Sequence, residues 1–329
     1  MDLEKIGVRR YLLPNDGTFY KANLHCHSTD SDGRLSPEAL VEAYRSQGYS
    51  ILAITDHAVM PDRSHLCTDD FLVLNGYEYN HARMCERGRL IHINLIAKDQ
   101  QNLTRPDLPS FPAGQEGIAD VAFTDKINKV VQTANASGFL TVYNHMRWSR
   151  DTEADALAYQ GFFAMELVNY FSEFLGIEEY NLSTFISKLR SGQKIFGIMA
   201  DDNHNLPRIP SVGVTELDAL DTSFGGFIWI KARDLKYNSV ISALEAGDFY
   251  ASNGPQIHSL YLEDGMLHIS CSPAKSIAVV TADRRGHSNW SREGTLSQAE
   301  FKLHGTEEFL VVVITDENGK KAVSQPYWL

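Results

Sequence analysis

Long hydrophobic runs are absent from this sequence of 329 residues. No segment approaches the roughly 18 consecutive apolar residues that a membrane-spanning helix needs. The opening stretch, MDLEKIGVRRYLLPNDG, lacks the apolar core of a secretory signal. We therefore expect a cytoplasmic protein that has no membrane partner.

Cysteine and positive charge are both scarce. The four cysteines, Cys26, Cys67, Cys85 and Cys271, form no CxxC pair, which predicts reduced thiols rather than disulfides or a thiolate zinc site. Lys and Arg number 30 against 42 Asp and Glu, a net charge of -12. Because such a chain repels a long polyanion, we expect no long nucleic acid among its partners.

Two groups of catalytic motifs are also missing. The sequence contains no GxSxG elbow and no Cys/His pairing that would indicate a covalent intermediate. It contains no GxxxxGK[ST] phosphate loop either. These absences disfavour nucleophilic hydrolases with a covalent step and nucleoside triphosphatases.

Apolar runs alternate with helical patterns through the first three quarters of the chain, which predicts βα units around a mostly parallel sheet. Ser36 and Pro37 predict a helix start and Gly48 its end. The runs FLVLNGYEYN and LIHINLIA flank the charged segment HARMCERGR, a pattern typical of a hairpin. The long polar loop 98–119 is a candidate cover for a substrate.

The pattern changes near residue 255. From Ile257 onward only short alternating runs remain, such as MLHISCS and FLVVVITDENGK. The length of the chain exceeds the usual size of a single core. We therefore predict two domains, an α/β domain over residues 1–255 and a small all-β, sandwich-like domain over 256–329.

The stretch NLHCHSTDSDG, residues 23–33, holds the first candidate metal ligands. In an extended strand His25 and His27 point to one face and Cys26 to the other, because side chains alternate. Two adjacent imidazoles suit one metal ion, although an HxH pair alone does not establish a site. Asp30 and Asp32 follow them before the turn at Gly33.

Further polar side chains fall at or near the ends of apolar runs. They are His57, Glu78, His92, His145, Asp202 and His204. In a β/α barrel the carboxyl ends of the strands converge, and active sites assemble there. Each residue alone has a structural alternative, such as a hydrogen-bonded imidazole, a capping carboxylate or a turn. Asp56 is adjacent to His57, and Asp201 is adjacent to Asp202. Adjacent residues on a strand point to opposite faces, so the two members of each pair cannot both be ligands.

Taken in order, NLHCHSTDSDG, LAITDH, GYEY, HINLI, YNH and ADDNH resemble the motifs of the PHP (polymerase and histidinol phosphatase) family of metal-dependent phosphoesterases, within the CehA/McbA-like branch. The resemblance extends over residues 19–255. It implies an α/β fold built as a distorted (β/α)7 barrel, with metals at its carboxyl-end mouth and a small C-terminal all-β domain.

The resemblance also implies a ligand set for two or three divalent ions of zinc, iron or manganese. A first ion would be held by His25, His27, Glu78 and Asp202. Glu78 would bridge to a second ion held by His92 and His145, and a third would be held by Asp32, His57 and His204. Asp30 competes with Asp32 for its place. A metal-bound hydroxide held by the first group would be the nucleophile.

The expected activity is hydrolysis of a small phosphoester, such as a nucleotide or a sugar phosphate. Arg147 and Arg208 are candidate phosphate-binding residues, with surface ion pairs as the alternative. Trp148 either stacks on a base or packs beneath a loop. Two other functions stay open: a carbamate, ester or amide hydrolase that uses the same metals, and a non-catalytic metal-binding regulatory module.

Overall fold

The computed structural model describes residues 8–80, 89–109, 120–209, 213, 216–293 and 295–329. The charged tip 81–88 of the predicted hairpin, which includes Cys85, lies outside these residues, and so does the end of the predicted covering loop, 110–119. Cys26, Cys67 and Cys271 are free thiols, as predicted. No helix in the described ranges is both long and apolar enough to cross a bilayer.

The first three quarters of the chain form a mixed α/β structure. Its strands are β1 (Arg10–Tyr11), β2 (Thr18–Asn23), β3 (Ile51–Ile54), β4 (Leu72–Asn80), β5 (His92–Ala97), β6 (Phe139–Tyr143), β7 (Ala164–Asn169), β8 (Phe196–Ala200), β9 (Phe227–Ala232) and β10 (Phe249–Ser252). Its helices are α1 (Pro37–Ser46), α2 (Asp120–Ala136), α3 (Glu153–Ala158), α4 (Tyr170–Phe174), α5 (Leu182–Arg190) and α6 (Tyr237–Ala246). A 3-10 turn covers Ser64–Leu66.

Helix α1 begins and ends where the sequence predicts. The Ser36 hydroxyl accepts a hydrogen bond from the Ala39 N–H, and Pro37 occupies the first helical position, where no N–H is needed. Gly48 follows the helix with a φ of +75°, a conformation that glycine adopts without steric cost. The helix thus returns the chain to β3.

The sheet is less parallel than predicted. Strands β2, β3 and β4 run parallel, as do β6, β7 and β8, but β5 lies antiparallel to both β4 and β6. The reason is the predicted hairpin, which the structure confirms through the β4–β5 pairing. Antiparallel strands can be joined by a tight connection, whereas a parallel pair needs a long crossover.

The segments that follow β2 and β8 pair with each other. The His27 N–H donates to the Asn203 carbonyl at 3.0 Å, and the Asp202 N–H donates to the His25 carbonyl at 2.9 Å. These bonds join the first parallel strand to the last one along the sheet. They also bring two predicted ligand groups, separated by more than half of the chain, into contact.

Strands are the only regular secondary structure among the described residues beyond 256. They are β11 (Ile257–Glu263), β12 (Met266–Ala274), β13 (Ser276–Thr281), β14 (His287–Trp290), β15 (Leu296–Lys302), β16 (Phe309–Thr315), β17 (Lys321–Ser324) and β18 (Tyr327–Trp328). The all-β character predicted for this region is therefore present in the structure.

The C-terminal strands divide between two sheets: β13, β14, β16, β17 and β18 are continuous with the large sheet, whereas β11, β12 and β15 form a separate sheet with β1. Strand β10, which the sequence analysis missed, pairs with β9 on one side and β17 on the other. Strand β1, near the start of the chain, pairs with β11. The predicted domain boundary between residues 255 and 256 stays a prediction, because strands before it are hydrogen-bonded to strands after it. Strand β1 pairs with β11, and β10 pairs with β17.

A buried lysine connects two helices on the outer layer of the sheet. The side chain of Lys188, on α5, is fully buried, and its Nζ donates to the carbonyls of Ala156 at 2.5 Å and Tyr159 at 2.9 Å. These acceptors lie at the end of α3, whose last carbonyls lack intrahelical partners. Burial lowers the pKa of Lys188 to about 8.

We predict that Lys188 makes stability depend on pH in the alkaline range. A lysine whose pKa is lower in the folded than in the unfolded state disfavours folding while it is protonated, so stability rises as the pH increases from about 8 towards 10.5. Urea denaturation of the wild type and Lys188→Met across this range measures the effect. The wild type should gain up to about 3 kcal/mol relative to the variant, and parallel curves would contradict the prediction.

Candidate metal centre

His25 and His27 lie just beyond β2, where the chain pairs with the segment after β8. Both side chains are buried, and their Nε2 atoms are 3.3 Å apart. Cys26, between them, points to the opposite side and packs with Leu40 and Tyr44 of α1. The alternation expected of an extended segment is therefore confirmed, and the two imidazoles face one site.

Glu78 occupies the middle of this site. The residue is fully buried in β4, and both carboxylate oxygens face imidazole nitrogens at 2.9–3.4 Å. The five imidazoles are those of His25, His27, His57, His92 and His145. One carboxylate is thus shared by side chains from five separate positions in the chain.

Asp202 supplies a second buried carboxylate. Its Oδ1 is 3.0 Å from the His27 Nε2 and 3.1 Å from the His25 Nε2. The residue has a φ of +55°, and His145 has a φ of +23°. Positive φ values in non-glycine residues cost free energy and persist where the surroundings impose them. The backbone bond from Asp202 to the His25 carbonyl is one such constraint.

Asp32 faces a second group of imidazoles at the more exposed side of the site. Its carboxylate oxygens are 3.5–3.6 Å from nitrogens of His27, His57 and His204. Asp30 instead pairs with Arg63 at 2.7 Å. Of the two aspartates that the sequence left in competition, the geometry favours Asp32.

The hairpin explains how His92 reaches the site. His92 begins β5, whereas Glu78 lies near the end of β4 and His145 follows β6. Since β5 runs antiparallel to both neighbours, its first residue lies at the same edge of the sheet as their last residues. The reversed strand therefore brings one more imidazole to an edge otherwise built from carboxyl ends.

The polar groups form three sets whose ligand atoms lie within 4.8 Å of one another. The sets are His25, His27, Glu78 and Asp202; His27, Asp32, His57 and His204; and His57, Glu78 and His92. All nine predicted ligands contact this constellation, since the His145 Nε2 is 3.4 Å from the Glu78 Oε1.

The donor set fits divalent cations. The His57 Nδ1 lies 2.9 Å from the Glu78 Oε2, yet neither atom makes a hydrogen bond of acceptable geometry, and the buried His27 Nδ1 has no partner either. Buried polar atoms are normally paired. Lone pairs that converge without bonding to each other suit a shared cation, and mixed imidazole and carboxylate ligation suits zinc, iron or manganese.

The pKa shifts of the buried imidazoles and carboxylates also favour cation binding at this site. Burial lowers the pKa of His25, but the carboxylates of Asp202 and Glu78 outweigh it and hold the pKa well above its usual value. Burial raises the pKa of Glu78, but the imidazoles of His92 and His25 reverse this and hold it well below. Burial opposes protonation of His145, but Glu78 and Asp202 raise its pKa to about 9. The carboxylates of Glu78 and Asp202 thus stabilise positive charge at a buried position.

Part of the chain matches a known protein family. Residues 23–101, which contain the first His pair, Asp32, His57, Glu78 and His92, match the model of the PHP domain. The match supports the predicted PHP resemblance over this segment, and it supports the prediction of a hydrolytic enzyme.

Individual proteins similar to this chain cover only part of it or are distant. Over 116 residues it is 57% identical to a 5'-3' exoribonuclease of Haemophilus influenzae; the match covers 33% of this chain and 40% of the relative, so the chain spans less than half of that relative's length.

Two solved structures are similar over larger parts. One is a two-domain protein from Bacteroides vulgatus containing a predicted PHP-like metal-dependent phosphoesterase, with 13% identity, a TM-score of 0.45 and 99% of each chain covered. The other is an amidohydrolase from Chromobacterium violaceum with bound sulfate and no metal, with 15% identity, a TM-score of 0.35, and 61% of this chain and 93% of that chain covered. TM-scores below 0.5 do not establish a shared fold.

Several residues that hydrogen-bond to the predicted ligands could not be recognised from the sequence. Glu166, in β7, accepts a hydrogen bond from the His25 Nδ1 at 2.8 Å and from the His145 N–H at 2.7 Å. Asn144 donates to the Glu78 Oε1 at 2.6 Å, and Asn169 donates to the Asp202 Oδ2 at 3.1 Å. A lone acid in the apolar run AMELVN was the available signal for Glu166.

The two aspartates adjacent to predicted ligands have structural roles. Asp201 is buried and accepts from the Tyr44 hydroxyl at 2.6 Å and from the N–H groups of residues 224–226 at 2.8 Å. Asp56 accepts from Ser28 and Ser31 and pairs with Arg63. The Asp56 contacts hold the segment that carries Asp32 against the end of β3. Both aspartates bind groups outside the predicted ligand set, which agrees with the expectation that two adjacent residues are not both ligands.

The two predicted phosphate-binding arginines lie on the surface. Arg147 is exposed, and its Nε donates to the Asn181 Oδ1 at 3.3 Å. Arg208 is also exposed. Neither guanidinium makes an ion pair with the ligand carboxylates within the ranges that the structure covers. Their role in phosphate binding stays a prediction.

We predict that Arg63→Met destabilises the fold by about 3–5 kcal/mol, because it leaves the buried Asp56 carboxylate without its cation. The Arg63 side chain is 4% exposed and also donates to the Ile54 carbonyl at 3.1 Å. Arg233→Met is the matched control, since that side chain is 84% exposed and its ion pair should contribute under about 1 kcal/mol. Urea denaturation measures both, and equal losses would contradict the prediction.

Proposed function

We propose that this PHP protein is a metal-dependent hydrolase of small phosphoesters, with a nucleotide as the leading substrate class. The observation that carries the proposal is Glu78, a fully buried carboxylate whose two oxygens face five imidazoles. A purely structural carboxylate needs hydrogen-bond donors, and Oε2 has none.

The proposed ligand sets follow the resemblance and are supported by the distances. His25, His27, Glu78 and Asp202 hold a first cation. Glu78, His92 and His145 hold a second. Asp32, His57 and His204 hold a third, and the 54% exposure of the Asp32 side chain makes this the most accessible of the three. Glu166 and Asn169 orient the ligands through the outer atoms His25 Nδ1 and Asp202 Oδ2, whereas Asn144 binds the Glu78 Oε1 directly.

The sheet supports a closed architecture for this site. We propose that β2 to β8 form the distorted (β/α)7 barrel of PHP proteins in the CehA/McbA-like branch, closed by the hydrogen bonds between the segments after β2 and β8. In such a barrel the carboxyl ends of the strands form one mouth, where the ligand groups gather. The all-β strands beyond 256 are then a separate, appended domain.

Clustered divalent cations, when bound, lower the pKa of a coordinated water and neutralise the charge that develops on a phosphoryl group. The chain supplies the remaining functions. Glu78 and Asp202 fix the spacing of the ligand sets, and burial of the imidazoles excludes bulk water from one side of the site. Arg147 and Arg208, which are both exposed, are the proposed phosphate-binding residues, since guanidinium groups bind phosphate oxygens by bidentate hydrogen bonds.

A nucleotide is favoured as the substrate by the partial match to an exoribonuclease, an enzyme that acts on RNA phosphodiesters. The net charge of -12 disfavours a long polyanion. We therefore propose a nucleotide or the end of a short oligonucleotide rather than long RNA.

A substrate panel tests this function. Protein loaded in turn with Zn²⁺, Mn²⁺ or Fe²⁺ is assayed for phosphate release from nucleoside monophosphates and sugar phosphates, and for nucleotide release from a short RNA. The same preparations are assayed for alcohol or amine release from aryl esters and carbamates. Phosphate or nucleotide release that chelation abolishes supports the proposal. Turnover of the carbonyl substrates alone would identify a carbamate or ester hydrolase, and metal binding without turnover would identify a regulatory module.

We predict that Glu166→Gln weakens metal binding by roughly 10–100-fold, the usual effect of losing a hydrogen bond to the outer atom of a ligand. The His25 Nδ1 would then face an amide in place of a carboxylate. Competition with a chromogenic chelator measures the affinity. Glu245→Gln, on an exposed ion pair with Lys98, is the control and should bind metal like the wild type.

Glu78→Gln should have a larger effect than Glu166→Gln, since it replaces a ligand of two proposed cations. We expect bound metal and hydrolytic activity to fall together, while circular dichroism shows a retained fold. Elemental analysis after dialysis measures the metal content. Wild-type metal content in this variant would contradict the assignment of Glu78.

A further inference from the structure

The indole of Trp148 lies beside the candidate metal centre without a direct role in it. Its ring centroid is 4.8 Å from that of His145 and 5.3 Å from that of His92. The interplanar angles are 71° and 49°, so neither imidazole stacks flat on the indole. The side chain is half-buried, and part of its surface is therefore open at the rim of the site.

A buried carboxylate on another element holds this indole in place. Glu179, between α4 and α5, is fully buried and accepts hydrogen bonds from the N–H groups of Arg147 at 2.9 Å and Trp148 at 3.0 Å. Asn181 adds a third bond to the same carboxylate at 2.8 Å. Burying a carboxylate is costly unless it is hydrogen-bonded, and here two of its three bonds specify the backbone that carries Trp148.

A second aromatic residue beside the site is arranged differently. Phe171 is 5.1 Å from the His204 ring at an interplanar angle of 33°, so these two rings are closer to parallel. The Trp148 indole lies at 49° and 71° to its two neighbouring imidazoles and stacks flat on neither of them.

We propose that the indole of Trp148 is a stacking surface for a planar group of the substrate, so that the enzyme selects phosphoesters carrying a nucleobase over sugar phosphates. A phosphate at cations held by His92 and His145 and a base on the adjacent indole lie within the span of one nucleotide. This inference rests on the proposed function and narrows its substrate class. Stacking of one base on an aromatic side chain changes affinity by roughly 5- to 150-fold.

Steady-state kinetics on two phosphates test the inference. The metal-loaded wild type, Trp148→Leu, Trp148→Phe and the control Trp290→Leu are compared on adenosine 5′-monophosphate and ribose 5-phosphate. Trp290, on β14, is 59% exposed and remote in sequence from the ligand groups. Trp148→Leu should lower kcat/KM roughly 5- to 150-fold for the nucleotide and leave the sugar phosphate nearly unchanged. Trp148→Phe should retain most of the preference.

Equal losses on both substrates, or no loss on the nucleotide, would overturn the inference while leaving the hydrolase function intact. If the wild type hydrolyses neither compound, the proposed function fails instead, and calorimetric binding of the same two compounds decides the inference. Tighter binding of adenosine 5′-monophosphate than of ribose 5-phosphate, lost in Trp148→Leu and kept in Trp290→Leu, supports a stacking surface. Equal binding of the two compounds by the wild type rejects it.

Discussion

The structure depends on the burial of two carboxylates, Glu78 and Asp202, among imidazoles. A buried charge is costly unless opposite charge and hydrogen bonds surround it. Imidazoles from five positions in the chain face Glu78, and the His25 and His27 pair faces Asp202. The Glu78 Oε2 still lacks a hydrogen-bond donor, so this requirement is met in full only when a cation is bound. Most other features of the site serve to hold these groups at contact distance.

The backbone around the site is constrained from several directions. Asp201 binds the N–H groups of residues 224–226, Asp56 binds the serines after the His pair, and Glu179 binds the loop after His145. The positive φ values of His145 and Asp202 persist within this frame. Carboxylates outside the ligand set thus act as anchors for loops, so that the ligand side chains need little rearrangement to accept cations.

Much of the local structure could be predicted from the sequence. Ser36, Pro37 and Gly48 mark the ends of α1 because capping and turn residues act through their immediate neighbours. The predicted ligand residues, which the structure brings together, could also be picked out, because a polar side chain at the end of an apolar run is conspicuous. Glu166 and Glu179 were not found, since a carboxylate that binds a distant backbone N–H looks no different in sequence from one at the surface.

The sequence alone predicted the residue types of the candidate site, the resemblance to the PHP family and many of the strands and helices, because these depend on local chemistry and ordered motifs. The tertiary structure alone decided that β5 runs antiparallel, that β10 joins the C-terminal strands to the large sheet, and that Asp32 rather than Asp30 faces the imidazoles. Those outcomes follow from pairing between strands and ion pairs between distant residues, and no spacing along the chain encodes them.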